Sequence, residues 1–313
     1  MDNLQRPIIE AIPRELLLAE LTEERFVRKT NKGGNDIYIV DHKTAPNTLL
    51  EIGRLREIAF REGGGGSGLE CDLDELDTSE QPYKQMIVWS PEDQEIIGGY
   101  RFLHCGHAKR DSDGNIELAT AHLFNYSQKF INEYLPYTIE LGRSFVQPKY
   151  QPGNSRKGIF SLDNTWDGLG AIVIDNPDIK YLFGKFTMYT GYHKEARNLI
   201  LYFLQKYFPD KEQLMSPFFP LEFEVTSEMK ELFPESHYRE AFKTLVQNVR
   251  QRGENIPPLV NIYMNLSDTM KTFGTAINHE FGGVEETAIL VTIANIYPEM
   301  KERYLNTYMK KQL

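Results

Sequence analysis

Two charged side chains three positions apart, Glu140 and Arg143 in TIELGRSFV, are the first residues of this chain equipped for chemistry. On a β-strand they point to opposite faces unless a bulge re-aims one of them, and bulges are common beside functional sites. The carboxylate then reads as a base, direct or through water, and the guanidinium as a charge partner for a carboxylate or phosphate in a pocket. The same pair also reads as a structural ion pair at a strand end. Downstream, VQPKYQPGNSRKG adds Lys149, Arg156 and Lys157, with no acidic residue between Leu141 and Leu162. The whole chain carries a net charge of −10, so this basic island needs a local explanation, and a phosphate-bearing partner supplies one. Gly153 and Gly158 leave backbone N–H groups exposed and a helix N-terminus follows, which suits a pyrophosphate.

Other constellations are poorer. ECDLDELDTSE resembles a calcium loop for three positions only, without the glycine and distal glutamate such a loop needs. It reads as a solvated acidic loop, or else as a cluster that positions an ammonium group or pairs with Arg56, Arg61 and Arg101. The basic loop lacks the terminal Gly-Lys-Ser/Thr of a P-loop, and no GxGxxG follows a strand, so ATP and nicotinamide chemistry are not supported. His104, Cys105 and His107 have no further ligands at metal-binding spacing, and no metal is expected. Cys71 and Cys105 are too few for a disulfide framework and read as small buried hydrophobes in a reducing compartment.

The elements that must position these groups follow from periodicity. Helices are expected over residues 13–25, from Asn47 to about Arg61, and over Leu123–Tyr134, Ser161–Ile174, Lys194–Tyr207, Ser236–Arg250 and Pro298–Tyr308, with a short one opened by Pro257-Pro258. Strands are expected at Ile37–Val40, Tyr137–Val146, Tyr181–Met188 and Ala288–Ile293, and Met86–Trp89 and Ile96–Leu103 form a hairpin around SPEDQE. Residues 209–235 are a Pro- and Phe-rich excursion, and the glycines at 63–66 form a loop with no side chains to hold it, either a flexible lid or a close approach to a ligand. Hairpin strands beside a strand–helix–strand unit imply a mixed sheet with helices on both faces and a parallel piece between Tyr137 and Met188. With 313 residues, 41% of them hydrophobic, a packed core is accessible. No apolar run reaches the roughly 18–20 residues that span a bilayer, and the N-terminus does not read as a secretory signal. The acidic balance excludes nucleic acid as a partner. A cytoplasmic location is expected, with peripheral contact at the inner membrane as its variant.

Several motifs, in order, resemble a known family. LREIAF carries Arg56 and Phe60, the acidic run supplies Asp74 and Asp77, IIGGYRFL places Arg101 on a strand, and ELGRSFVQP gives Glu140 and Arg143. This set is similar to the acyl-homoserine-lactone synthase branch of the GNAT acyltransferase superfamily. PPLVNIYMNLSDTMKTFGTAINHEFGG resembles the C-terminal part of ornithine lipid N-acyltransferases, relatives often labelled hemolysin-like. ERFVRKTNKGGNDIYIV and the glycine loop resemble the branch that makes N-acyl glycine lipids. The chain departs from the lactone synthases in lacking their aromatic residue after the first helix. It departs from the ornithine enzymes in lacking their glycine-rich turn. The first departure speaks against an S-adenosylmethionine site and for a simple amino acid acceptor, and the second means that ornithine is not implied.

The resemblance implies a mixed α/β fold: a GNAT-like, strongly twisted central sheet flanked by helices, with a C-terminal helical and strand extension. The expected parts are 1–47, an N-terminal helix and strand, 48–208, the acyltransferase core, and 209–313, which completes the domain. It implies an N-acyltransferase that moves a long-chain fatty acyl group, with or without a 3-hydroxyl, from acyl carrier protein to an amino acid such as glycine, in aminolipid biosynthesis. The alternatives are an enzyme using acyl-coenzyme A and a non-catalytic lipid- or carrier-binding module. No cofactor is held permanently; the donor is a phosphopantetheine thioester. Glu140 is expected to take the amine's proton, Arg143 and Arg101 to act beside it, and Arg56, Phe60, Asp74 and Asp77 to bind substrate. Backbone N–H groups near Phe145 and Val146 would hold the oxyanion. Lys149, Arg156, Lys157 and Gly158 would hold the donor phosphate, and the basic island would double as a docking patch for the acidic carrier. An apolar tunnel would draw on Phe102, Phe124, Phe183 and Phe186.

Overall fold

Apolar runs too continuous for a half-exposed strand, such as MIVW at 86–89 and AILV at 288–291, have to be covered on both faces. The structure, a computed structural model, shows how. It describes residues 5–151, 153–154, 156–233 and 238–309, the side chains of Arg156 and Lys157 excepted. The strands are β1 (Phe26–Lys29), β2 (Asp36–Val40), β3 (Lys84–Ser90), β4 (Glu95–His104), β5 (Phe124–Tyr126), β6 (Thr138–Val146), β7 (Tyr181–Met188), β8 (Met215–Pro217), β9 (Lys271–Asn278) and β10 (Val284–Thr292). Eight of them form one sheet in the order β1-β2-β3-β4-β6-β7-β10-β9, while β5 pairs with β8. Every pairing is antiparallel except β6 with β7.

The helices are α1 (Arg14–Glu20), α2 (Pro46–Glu62), α3 (Glu75–Thr78), α4 (Ser161–Asp175), α5 (Lys194–Tyr207), α6 (Ser227–Leu232), α7 (Tyr238–Gln251), α8 (Pro258–Met264) and α9 (Pro298–Tyr304). Alternation along the strands sends Met86, Val88 and Tyr100 into a core shared with α4, α5 and α7, through Leu169, Phe203 and Leu245. Ile87, Trp89 and Phe145 face the other way, onto Ile52, Leu55 and Phe60 of α2. A third cluster gathers Phe124, Phe130 and Leu135 over Phe183, Phe273 and Leu290 at one end of the sheet.

The parallel pair is short. Its register runs from Thr138 opposite Tyr181 to Leu141 opposite Gly184 and stops there. Beyond it β6 continues with β4 alone and β7 with β10 alone, so the two central strands part. At the parting point Gly99 and Arg101 of β4 oppose Phe145 and Gly142 of β6, which inserts an extra residue in β6. This is the bulge that the Glu140–Arg143 spacing called for, and Arg143 takes it with φ 51°, a conformation uncommon for a side chain of its size.

The structure corrects some boundaries. Residues 123–134 are not one helix but β5 followed by a wide helical turn over Phe130–Tyr134. The expected helix over 13–25 ends at Glu20, and β1 and β9 carry no strong alternation in sequence. The glycine loop is not loose. The carboxylate of Glu57 accepts from Ser67 N at 3.1 Å, Ser67 Oγ at 2.8 Å and Gly68 N at 2.8 Å. Gly63 and Gly65 press against the Tyr189 ring, where a Cβ would stand 2.7 and 3.0 Å from its carbons.

Gly99 shows how tightly the central strands approach, since a Cβ there would lie 2.2 Å from the carbonyl oxygen of Met86. Gly99→Ala is expected to cost about 1–3 kcal/mol, as overpacking does. Gly191, with open space around it and no positive φ, is the control, and Gly191→Ala should leave the thermal midpoint nearly unmoved. Parallel thermal melts of the two variants check this.

Candidate active site

The carboxylates of the acidic run are partners for arginines, not a solvated loop. Arg56 of α2 is 0% exposed and places Nη1 at 3.4 and 3.3 Å from the two oxygens of Asp77, while its Nη2 donates to Gln85. Arg101 of β4 donates through Nη1 to Asp74 at 2.7 and 2.8 Å and to Asp77 at 3.0 Å. Asp74 and Asp77 cap α3 reciprocally, so the short helix holds both carboxylates toward the sheet. Arg143 completes the row, with Nε 3.1 Å from Asp72 and Nη2 3.9 Å from Asp74. Burial opposes ionisation of Asp77, but Arg56 and Arg101 outweigh it and hold its carboxyl well below the ordinary range. Asp72 is pushed up by burial, which outweighs the nearby Arg143 and the more distant Arg56 and Arg101. Arg61, considered for this cluster, pairs instead with Glu57 at 2.7 Å.

These contacts change the expected roles. Arg56 and Arg101 are enclosed and neutralised by the network, which takes their Nη donors and leaves each Nε buried without a partner. Phe60 packs edge-on against Phe281 at 5.1 Å, and Phe281 in turn lies 4.4 Å beneath the Arg143 guanidinium. Phe60 therefore reaches the site only through that ring. Arg143 differs from the other two arginines. It makes no aligned hydrogen bond to a described residue, and its Nε, like theirs, is buried without one.

Glu140 lies on the same face, fully buried, without touching Arg143, so the two are not an ion pair. One of its oxygens accepts from the Tyr83 hydroxyl and, at 3.1 Å, from Ala119 N. The other accepts from Thr120 N at 3.0 Å and Thr120 Oγ1 at 2.6 Å. With each oxygen already bonded twice, Glu140 can take a proton only by giving up a bond to Tyr83 or to the 119–120 segment.

Three groups absent from the sequence-based set surround the parting of β6 and β7. Lys185 of β7 donates to Glu286 of β10, which also accepts from Asn278 Nδ2 at 2.9 Å. Burial pushes Lys185 down. Burial works against ionisation of Glu286 as well, but the Lys185 ammonium holds it below the usual range. His122, two residues beyond Thr120, feels Lys185, Glu286, Glu280 and Arg143; partial burial and the Lys185 charge lower it, so the imidazole is neutral at pH 7. It lines an open groove of about 1170 Å³ together with Asp74, Tyr126 and Phe218. A lysine inside the apolar run YLFGKFTM was a signal for Lys185; nothing in the sequence marks His122.

On the opposite face a cavity of about 40 Å³ opens at the same point, lined by Gly142, Arg143 and Ser144 of β6, Lys185, Tyr100 and residues of α4 and α8. The basic island is partly spent. Lys149 pairs with Glu95 at 2.8 Å, and Gly158 allows close packing, since a Cβ would lie 2.6 Å from the Tyr150 carbonyl oxygen. The side chains of Arg156 and Lys157 lie outside the described residues. α4 starts without a side-chain cap, and the Ser161 hydroxyl in its first turn is buried without a partner. Phe145 and Val146 sit opposite Gly99 and Gly98 in the β4–β6 ladder. His104 pairs with Asp178 at 2.9 Å and stacks on His107, and no group of three metal-ligating side chains forms among the described residues.

Asp77→Asn leaves Arg56 and Arg101 buried with one anion fewer and is expected to cost about 3–5 kcal/mol at neutral pH. The contribution of Asp77 is fully present above about pH 4 and is lost as pH falls toward its depressed native value. Urea melts of wild type and variant across that range should therefore differ most at neutral pH and converge in acid.

Comparison with known proteins identifies the family. The Acetyltransferase (GNAT) domain family matches residues 55–160, which span α2 through the loop before α4. A glycine N(alpha)-acyltransferase of Bacteroides thetaiotaomicron is 53% identical over 97% of this chain and 90% of its own. A second, of Phocaeicola vulgatus, is 52% identical over 97% of this chain and 94% of its own. Among solved structures the AHL synthase LasI is similar over 90% of this chain and 100% of that one, with a TM-score of 0.44 and 13% identity. The chain belongs to the GNAT N-acyltransferases, enzymes that carry an acyl group from a thioester to an amine.

Proposed function

We propose that this enzyme acylates the amine of glycine with a long-chain acyl group carried by acyl carrier protein, as a step in making an aminolipid. The observation that carries the reading is the parting of β6 and β7, charged on one face and apolar on the other. A thioester lying in that gap has its acyl chain on the apolar side and its carbonyl beside Arg143 and Ser144. The donor phosphate lies at the uncapped start of α4, near the Ser161 hydroxyl. The acceptor enters by the open groove, and the Lys185–Glu286 pair with Arg143 matches an amino acid zwitterion in sign. The two relatives named for glycine support that acceptor.

The ammonium of the acceptor first loses one proton to solvent, so that the amine attacks neutral. His122 takes the second proton as the nitrogen attacks the thioester carbon, backbone N–H groups of β6 facing the gap hold the oxyanion, and collapse of the tetrahedral adduct breaks the C–S bond and expels the pantetheine thiolate, which takes that proton from the imidazolium. Glu140 is a positioning residue in this scheme, since it fixes Ala119 and Thr120 and through them the imidazole. No helix among the described residues is long and apolar enough to cross a membrane. Phe219, 86% exposed, and the neighbouring Phe218 are suited to peripheral contact where a lipid product is delivered.

Purified enzyme given hexadecanoyl-acyl carrier protein and glycine should form N-hexadecanoylglycine, detected by mass spectrometry, faster than from hexadecanoyl-coenzyme A. Equal or better use of coenzyme A would remove the carrier from the proposal, and absence of product with either donor would remove glycine. Arg143→Ala should abolish turnover, whereas a non-catalytic module would be indifferent to it.

The rate is expected to fall as pH drops through the lowered His122 value, because the protonated ring accepts nothing. His122→Gln should remove that acid limb and slow turnover by roughly 10²–10⁴-fold. Glu140→Gln should slow turnover and keep the limb; loss of the limb in this variant instead would return the proton to Glu140.

A further inference from the structure

We infer that the donor's acyl chain runs from the gap beneath α4, and that Trp166 sets how long a chain is accepted. The inference rests on the thioester donor proposed above. Two spaces lie along the same side of α4. The first is the cavity at the gap, whose apolar wall is Leu141, Leu169, Leu259 and Tyr263. The second, of about 10 Å³, lies farther along the helix among Val173, Leu182, Leu266, Ile296, Met300 and Leu305. Trp166 and Leu169 line both.

Trp166 stands between them. Its ring is 5.7 Å from Tyr263, which belongs to the first space, and 5.7 Å from Tyr304, which belongs to the second. The Tyr304 hydroxyl is turned away, donating to Asp163 at 2.9 Å, so the second space is apolar throughout. At the entrance the picture reverses. Tyr100, 6% exposed, lines the first space with its hydroxyl buried and unbonded. Such a group costs free energy unless something bonds to it, and a polar atom at the carbonyl end of a chain would do so. Polar mouth, apolar run and an aromatic partition together describe a site for a linear chain with a polar head. A chain longer than the first space has to turn Trp166 aside to enter the second, where Met300 is a pliable wall. The sequence-based tunnel residues do not build this path. Phe124 and Phe183 belong to the separate cluster at the end of the sheet, and Phe102 and Phe186 are buried in the main core without lining either space.

The test compares kcat/KM for glycine acylation with butanoyl, octanoyl and hexadecanoyl carrier donors. Trp166→Ala should raise the hexadecanoyl-to-octanoyl ratio roughly tenfold, on the scale of pocket discrimination between chain lengths. Met300→Trp, which fills the second space from its far end, should lower that ratio by a similar factor. Unchanged ratios in both variants, each folded as judged by its thermal melt, would overturn the inference. A binding readout separates it from the acceptor assignment. In a Trp89→Phe background, the remaining indole emission of Trp166 should shift with hexadecanoyl-pantetheine and not with butanoyl-pantetheine. A shift without any glycine product would leave the chain path standing and dismiss the acceptor. No shift would dismiss the path even if glycine is acylated.

Discussion

A row of alternating charges, Arg56–Asp77–Arg101–Asp74–Arg143–Asp72, fixes the geometry of everything around the parted strands. Burying two guanidinium groups and half-burying a third is tolerable only if carboxylates meet them, and the carboxylates come from the loop around α3, which Gln85 of β3 also holds by donating to Asp77 at 2.9 Å. The network therefore welds α2, the α3 loop, β4 and the β6 bulge into one unit. Its members are graded. Arg56 and Arg101 are committed to their anions, while Arg143, at the exposed end, is held by two ion pairs and the Phe281 face yet keeps donors to offer. A fixed cation with unspent donors, next to strands that have lost their mutual hydrogen bonds, is how a fold keeps a preorganised anion site.

The same logic applies to Glu140. A buried carboxylate with four donors around it does not drift, and neither do the residues that donate. Two of those donors are consecutive backbone N–H groups of a segment without regular structure. The strand thus dictates where that segment runs and where His122 stands above the Lys185–Glu286 pair. The sheet thus fixes the geometry of residues that a loop presents.

How much of this was legible follows from whether the information is local. The limits of β7 and α5 follow from apolar periodicity, and the bulge was deducible because Glu140 and Arg143 cannot otherwise share a face. The partners were not deducible. Arg56 meets Asp77 21 positions away and Arg101 meets Asp74 27 away, so an acidic run that ends in the core looks the same as one that ends in water. β9 was missed because KTFGTAIN alternates weakly and is made a strand by β10 beside it. The helix expected over 123–134 yielded to tertiary demand, since Phe124 pairs with Pro217.

The basic island teaches a related point. The absence of acids from 141 to 162 is true in sequence and partly undone in space, because Glu95 is brought to Lys149 and Asp72 to Arg143. Local charge is therefore a weaker argument for phosphate binding than it looks along the chain. What remains is geometric: an α4 start with no side-chain cap, continuous with a 3-10 turn over Arg156–Phe160, and an unbonded Ser161 hydroxyl in its first turn. Backbone dipoles at such a site act whatever the neighbouring side chains are doing, and they cannot be neutralised by a distant glutamate. On the proposed reading, the donor end of the site thus depends on the fold more than on the lysines and arginines that first drew attention to it.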